Sequence, residues 1–320
     1  MTNITTFKLK GWGDLPIDIL MEIFKELNPI DRCTVARVAQ SWQMAALHSS
    51  LWRTVDLQVL QSNFVRVDTG LRLPQALRTV VVCGQANVRC IIFHPSLHMN
   101  DEQLNLIARG CPRLNRLVLP CWERISNAAI CNAIKKWRGL KSITVPDMAS
   151  PLHTIQTIKR SCNSFTELKV MGSFHGEFAS AISMYLRLKV LSLRCCTVSA
   201  ASLMLICMCM KHLEVCNLSH SLVYLNEGWE VMPLKKWIDN ILGELLLEQV
   251  EQNSSLRSFI YCRDYESCSA CRRMMSGGMR LENEWRQDEV NSFDLDEDTN
   301  HDDGADVDAV AARDDRRKLS

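Results

Sequence analysis

The sequence predicts an α/β chain in three parts: a short N-terminal helical module, a solenoid in which a curved parallel sheet carries outer helices, and a disordered acidic C-terminal tail. Three observations lead there. Six short stretches repeat the pattern L-x-x-L-x-L: LRTVVV from Leu77, LNRLVL from Leu114, LKSITV from Leu140, FTELKV from Phe165, LKVLSL from Leu188 and LEVCNL from Leu213. From Leu114 onward the starts are 26, 25, 23 and 25 residues apart. Three residues before each of the last five starts stand Cys111, Trp137, Cys162, Tyr185 and Met210, bulky or soft apolar residues at one equivalent place. Hydrophobicity gives way to acidic residues at the C-terminal end.

Residues 1–10 are expected to be flexible. From Gly11 to Leu51 the text reads as short helices. Asp14 can cap a helix and Pro16 suits its first turn, where a missing N–H costs nothing. Ile17, Leu20, Met21, Phe24 and Leu27 then fall at helical spacing, and Asn28-Pro29 ends the segment. A second helical stretch lines up Val35, Val38 and Trp42. A module of this size struggles to bury enough surface alone. Yet Leu15, Ile19, Ile23, Leu27, Val35, Val38 and Trp42 supply more apolar side chains than one small core needs. Part of that surface is therefore expected to be covered by the solenoid or by a partner.

The repeats span residues 52–275. Trp52 (WRTVDL), 25 residues before Leu77, reads as an irregular first copy and Leu256 (LRSFIY) as a last one. A period of about 20–29 residues with this pattern marks leucine-rich repeats, each a strand plus helical material that covers its apolar side only by stacking. The gap from Leu77 to Leu114 reads as an insertion around IIFHPSLH, and residues 228–250 as one longer amphipathic helix. The Asn or Cys usual at the ninth repeat position is mostly absent: Trp122, Met148, Ser173 and Ser221 stand there, and Cys196 alone fits. Residues 276–320 are expected to be disordered, since high charge and low hydrophobicity cannot repay ordering entropy.

The residues of the N-terminal module carry a resemblance. Leu15, Pro16, Asp18, Ile19, Leu20, Ile23 and Phe24, then Asn28, Pro29 and Asp31, then Val38, Ala39 and Trp42, then Leu51 and Trp52, look like the F-box. Ala39 stands where many members have Cys. With the repeats behind it, the chain resembles the plant F-box/leucine-rich-repeat proteins, substrate receptors of Skp–cullin–F-box ubiquitin ligases. The resemblance implies that the module docks on a Skp-type adaptor, and through it a cullin–RING ligase, while the repeats hold a protein substrate. Leu15, Pro16, Ile19, Leu20, Ile23 and Trp42 are the candidates for adaptor docking or for the fold that supports it. The other reading is a repeat scaffold whose F-box-like segment serves only as an N-terminal cap.

The repeats offer a surface rather than a reaction. By strand alternation the residues flanking the inward leucines face the concave side. Glu167, Lys169, Val190, Ser192, Arg194, Val215 and Asn217 are therefore the candidate substrate-binding patch, of mixed polarity suited to a protein ligand.

The remaining chemistry reads as negative. Net charge is +1, but residues 288–320 hold 12 of the 36 acidic and only 4 of the 37 basic side chains, so the rest of the chain carries +9. That excess is scattered, and nucleic acid is not the expected partner. Fifteen cysteines without an apolar leader read as free thiols in a reducing compartment, cytoplasm or nucleus. The longest apolar run, 200–210, is too short to span a bilayer, so no membrane association is expected. Cys268 and Cys271 form a C-x-x-C near Cys262, but no nearby His completes a metal site, and no metal or other cofactor is expected. Nor do the phosphate loops or paired carboxylates of an enzyme occur.

Overall fold

A computed structural model describes residues 11–58, 72–84, 86–95, 97–119, 124–145, 148, 151–225 and 231–277. The N-terminal ten residues, Trp122 and the acidic tail lie outside them.

The helices run in the order α1 (Ile17–Lys25), α2 (Pro29–Val35), α3 (Gln40–Ala46), α4 (Arg72–Gly84), α5 (Asp101–Gly110), α6 (Asn127–Lys136), α7 (Pro151–Ser161), α8 (Gly176–Tyr185), α9 (Ala200–Cys209), α10 (Leu234–Ile238), α11 (Ile241–Gln252) and α12 (Ser269–Met275). The strands are β1 (Thr54–Asp56), β2 (Cys90–Ile92), β3 (Arg116–Val118), β4 (Ser142–Val145), β5 (Glu167–Val170), β6 (Ser173–Phe174), β7 (Val190–Ser192), β8 (Thr197–Ser199), β9 (Val215–Asn217), β10 (Leu222–Tyr224), β11 (Met232–Pro233) and β12 (Ser258–Ile260).

The main sheet is parallel throughout, in the order β1-β2-β3-β4-β5-β7-β9-β12. Each helix from α4 to α9 packs on the next, which covers the apolar side that one repeat leaves open. The inward triads are buried in every copy from Leu114, Leu117 and Leu119 to Leu213, Cys216 and Leu218. Each such side chain contributes roughly 1.5–3 kcal/mol on burial.

The apolar residue three places before the repeat start has a physical explanation. Cys111, Trp137 and Met210 are the first residues past α5, α6 and α9, and Cys162 follows α7. Each accepts at its carbonyl a hydrogen bond from the amide three residues on: Leu114, Leu140, Phe165 and Leu213. The turn that ends the helix thus aims the chain into the strand. Asn253 and Leu256 repeat the arrangement in the last copy. Cys162 is buried and its thiol donates to the Trp137 carbonyl at 3.3 Å. Burial pushes that thiol up to about 11, so it stays protonated and inert at neutral pH. Cys162→Ala should cost roughly 1–3 kcal/mol in a urea titration, the scale of a truncated core side chain. Intact-mass analysis with alkylating agent should leave the native thiol unmodified.

Three expectations are corrected. LRTVVV is a helix, not a strand: Leu77 and Val80 are buried on α4, whereas Val82 is 69% exposed. The second strand is β2, within VRCIIF, where Val88, Ile91 and Phe93 form the triad, so the insertion lies between β1 and β2. The helix expected over 228–250 divides into α10 and α11. Gly243 permits the tight turn between them, since a Cβ there would sit 2.2 Å from the Ile238 Cα. The ninth position is more regular than its residue types suggest. Buried Ser221 donates to the Leu193 carbonyl at 2.6 Å, as Cys196 does to that of Val170 at 2.9 Å. A hydroxyl and a thiol do the same work one repeat apart.

A second sheet, in the order β11-β10-β8-β6, lies just past these turns and was not foreseen. Its strands have two or three residues, too few for a visible alternation. Among the described residues, no helix is long and apolar enough to cross a membrane.

Candidate adaptor and substrate surfaces

The N-terminal module is built around Leu20 and Phe24, one turn apart on α1 and buried. Trp42 of α3 packs edge-on against Phe24, ring centroids 5.5 Å apart, and its indole N–H donates to the Trp12 carbonyl at 3.0 Å. Asn28 caps α2 by accepting from the Ile30 and Asp31 amides, both at 2.9 Å, with Pro29 in the first turn. Asp14 does not cap α1 as expected. It lies in a 3-10 turn, Trp12–Asp14, and exposed Pro16 takes the cap place without a side-chain bond. The second helical stretch breaks between α2 and α3, leaving Val38 exposed rather than on a core face.

The structure sorts the six adaptor candidates. Leu20 is core. Leu15 and Trp42 are half-buried against the core. Pro16 is exposed, and Ile19 and Ile23 are 49% and 43% exposed one turn apart on the outer face of α1. Ile19 and Ile23 form a small apolar face on the outer side of α1 that no described core residue covers.

Arg32 was missed by the sequence reading. It is buried, and its guanidinium donates to the carbonyls of Phe24 at 2.8 Å, Lys25 at 2.9 Å and Leu51. It ties the end of α1 to the chain entering the first repeat. A charged residue in a helix reads as surface unless three unpaired carbonyls are known to face it. Trp52 completes the joint: it is buried, and its indole N–H donates to the Ala46 carbonyl at 2.8 Å. One continuous core runs from Leu20 in the module to Phe259 in the last repeat, so module and solenoid are packed as one body.

The concave candidates are aligned as expected. Glu167, Val190 and Val215 form one row across β5, β7 and β9, and Lys169, Ser192 and Asn217 the next. Their accessibility differs from the expectation. Glu167, Lys169, Val190, Ser192, Val215 and Asn217 are buried, and Arg194 is half-buried. Glu167 carries a charge network: its carboxylate lies 3.3 Å from the Lys169 ammonium and 3.4 Å from the Arg116 guanidinium. Paired charges can be withdrawn from water where single ones cannot. Cys90, on the same side of the sheet, has its thiol raised to about 11 by burial, with Arg116 pulling it the other way. Of the seven candidates, Arg194 is the one that still reaches solvent.

Comparison with known proteins bears on the N-terminal module and on the chain as a whole. A family model described as F-box-like matches residues 12–58. The chain is similar to the F-box/LRR-repeat protein At3g48880 of Arabidopsis thaliana, 33% identical over 306 residues that span 90% of this chain and 97% of the relative. It is also similar to the putative F-box protein At4g11580 of the same plant, 25% identical over 345 residues, covering 92% of this chain and all of the relative.

Proposed function

This chain belongs to the F-box/LRR-repeat proteins, and from that premise we propose that it is the substrate-recognition subunit of a Skp–cullin–F-box ubiquitin ligase. The observation that carries the proposal is the uncovered apolar face of α1 at Ile19 and Ile23, opposite the buried Leu20 and Phe24, on a module that also exposes Val38, Met44 and Leu47. A partner groove of matching hydrophobicity is the physical complement of such a face. The Skp-type adaptor takes that place, with Pro16 at the rim.

The repeats hold the protein substrate, and the chain performs no chemistry of its own. It raises the effective concentration of substrate beside a ligase-bound ubiquitin carrier. The rigid joint through Arg32 and Trp52 supports this role, because a fixed distance between adaptor and substrate makes transfer geometry reproducible. Arg194 is the anchor of the substrate side, with Met171 and Ser219 as half-buried neighbours along the row. Cytoplasm or nucleus is the proposed location, in keeping with the free thiols.

The same joint also favours the second reading, a repeat scaffold capped by its N-terminal module. One experiment separates them. Affinity purification of the wild type and of Arg194→Glu from plant cells, followed by mass spectrometry, should recover adaptor and cullin peptides with both. A further set of proteins should be lost with the variant. Absence of adaptor and cullin from the wild-type capture would leave the scaffold reading standing.

A further inference from the structure

The last two repeats bring together four side chains that the sequence keeps apart. Cys262 lies two residues past β12, Cys268 precedes α12, and Cys271 lies in its first turn. The fourth is His220, from the turn after β9, the strand paired with β12. One nitrogen or sulfur atom from each falls within 4.8 Å of all the others. His220 Nδ1 is 3.3 Å from Cys268 Sγ and 3.4 Å from Cys271 Sγ. Cys262 and Cys271 are buried, and His220 and Cys268 are half-buried.

We propose that His220, Cys262, Cys268 and Cys271 form a closed structural zinc site that fastens the C-terminal cap to the repeat before it.

The donor set and the spacing both point to this metal. Zinc binds thiolate sulfur at about 2.3 Å and imidazole nitrogen at about 2.0–2.1 Å, so a tetrahedron places its ligand atoms roughly 3.5–3.8 Å apart. The His220 distances fall close to that edge before any metal draws the ligands in. Three sulfurs and one nitrogen suit a borderline-soft ion of tetrahedral preference, whereas magnesium and calcium take oxygen. Four protein ligands leave no open position, which makes the role structural rather than catalytic.

The backbone prepares the site. His220 has φ of 58°, a left-handed conformation uncommon outside glycine, and so does Cys195 one repeat earlier, at 54°. Both immediately precede the ninth repeat position, in the copies from Leu188 and Leu213, so these two neighbouring turns share the bend. Among the described residues, the group of His and Cys that could hold a metal lies at His220 and not at Cys195. At His220 the same bend carries an imidazole to the three thiols. The C-x-x-C is the reciprocal part, two sulfurs gathered by one helical turn.

The fold also supplies a need for the metal. The end of a solenoid has no next repeat to cover it. Here α12 is a single short helix of 7 residues, below the length at which a helix holds itself in water. Zinc would join α12, the segment after β12 and the turn after β9 at one point. Binding releases the three thiol protons to solvent and involves no change of oxidation state. The inference is independent of adaptor docking.

The test uses the full chain purified in chelator-free buffer with reductant. Metal analysis should find one zinc per chain. Replacement by cobalt(II) should give the intense visible absorption of tetrahedral thiolate coordination. Cys268→Ser and His220→Ala should each lower zinc content at least tenfold, and Cys209→Ser, which changes an exposed thiol outside the cluster, should leave it unchanged. A wild-type chain that binds neither zinc nor cobalt overturns the proposal, and that result does not depend on any variant folding. So does full zinc content in folded Cys268→Ser, or a disulfide among the three cysteines in thiol-blocked wild type.

Discussion

Ile19→Glu combined with Ile23→Glu should weaken binding of a purified Skp-type adaptor by more than about 100-fold, equivalent to roughly 2.7 kcal/mol, with little change in melting temperature. The asymmetry follows from where the two side chains lie. Both project from the outer face of α1, one turn apart, while Leu20 and Phe24 hold the inner face in the core. Substitutions at exposed helical positions rarely shift stability by more than about 0.5 kcal/mol. Two carboxylates in a desolvated apolar groove cannot find partners, so their cost falls on the complex alone. Leu20→Ala is the contrasting variant. It should lose roughly 2–5 kcal/mol of stability and would reduce binding only by unfolding the module. Calorimetric titration of the double variant at wild-type affinity would sink the assignment of this face, and thermal melts establish that the variant is folded.

Lys169→Glu should be the most damaging single charge change in the repeat body. The Lys169 side chain is 2% exposed and its ammonium sits 3.3 Å from Glu167, whose own side chain is 6% exposed. The variant removes one cation from Glu167 and puts a second carboxylate beside it, while Arg116 stays 3.4 Å from Glu167. Breaking a buried ion pair by changing one partner typically costs about 3–5 kcal/mol, because the remaining charge keeps its desolvation penalty. Lys169→Met paired with Glu167→Gln should recover most of that loss. Urea denaturation measures all three chains, and a Lys169→Glu midpoint equal to wild type would show that the pair is not holding the sheet. One consequence for function is direct: Lys169 is unsuited to probing substrate capture, since its loss perturbs the body, whereas Arg194 reaches solvent.

The repeats were legible because their signal is local and redundant. Inward leucines, the apolar residue at the helix end and the period all report the same stacking. Five copies from Leu114 to Leu213 lie where their spacing puts them. The N-terminal module was legible for a similar reason, its apolar residues exceeding what its own core could hold. LRTVVV misled because L-x-x-L-x-L satisfies a helix face over its first two apolar positions as well as a strand. The exposed Val82 distinguishes the two, and exposure is not written in a sequence. Arg32 was invisible because its partners are backbone carbonyls, which every sequence possesses.

What the sequence by itself determined is the order of parts: a helical F-box-like module, then stacked strand–helix units with their core positions named. Tertiary structure alone decided which candidates are surface and which are support, and which distant residues meet. Glu167 and Lys169 read as a polar surface pair until register places them inside a buried network with Arg116. No histidine lies near Cys262, Cys268 and Cys271 in the sequence, but parallel pairing of β9 with β12 brings His220 to them. The physical reason is common to both. Periodicity records which face of its own element a side chain occupies, whereas burial and ligation depend on what a neighbouring element sets against that face.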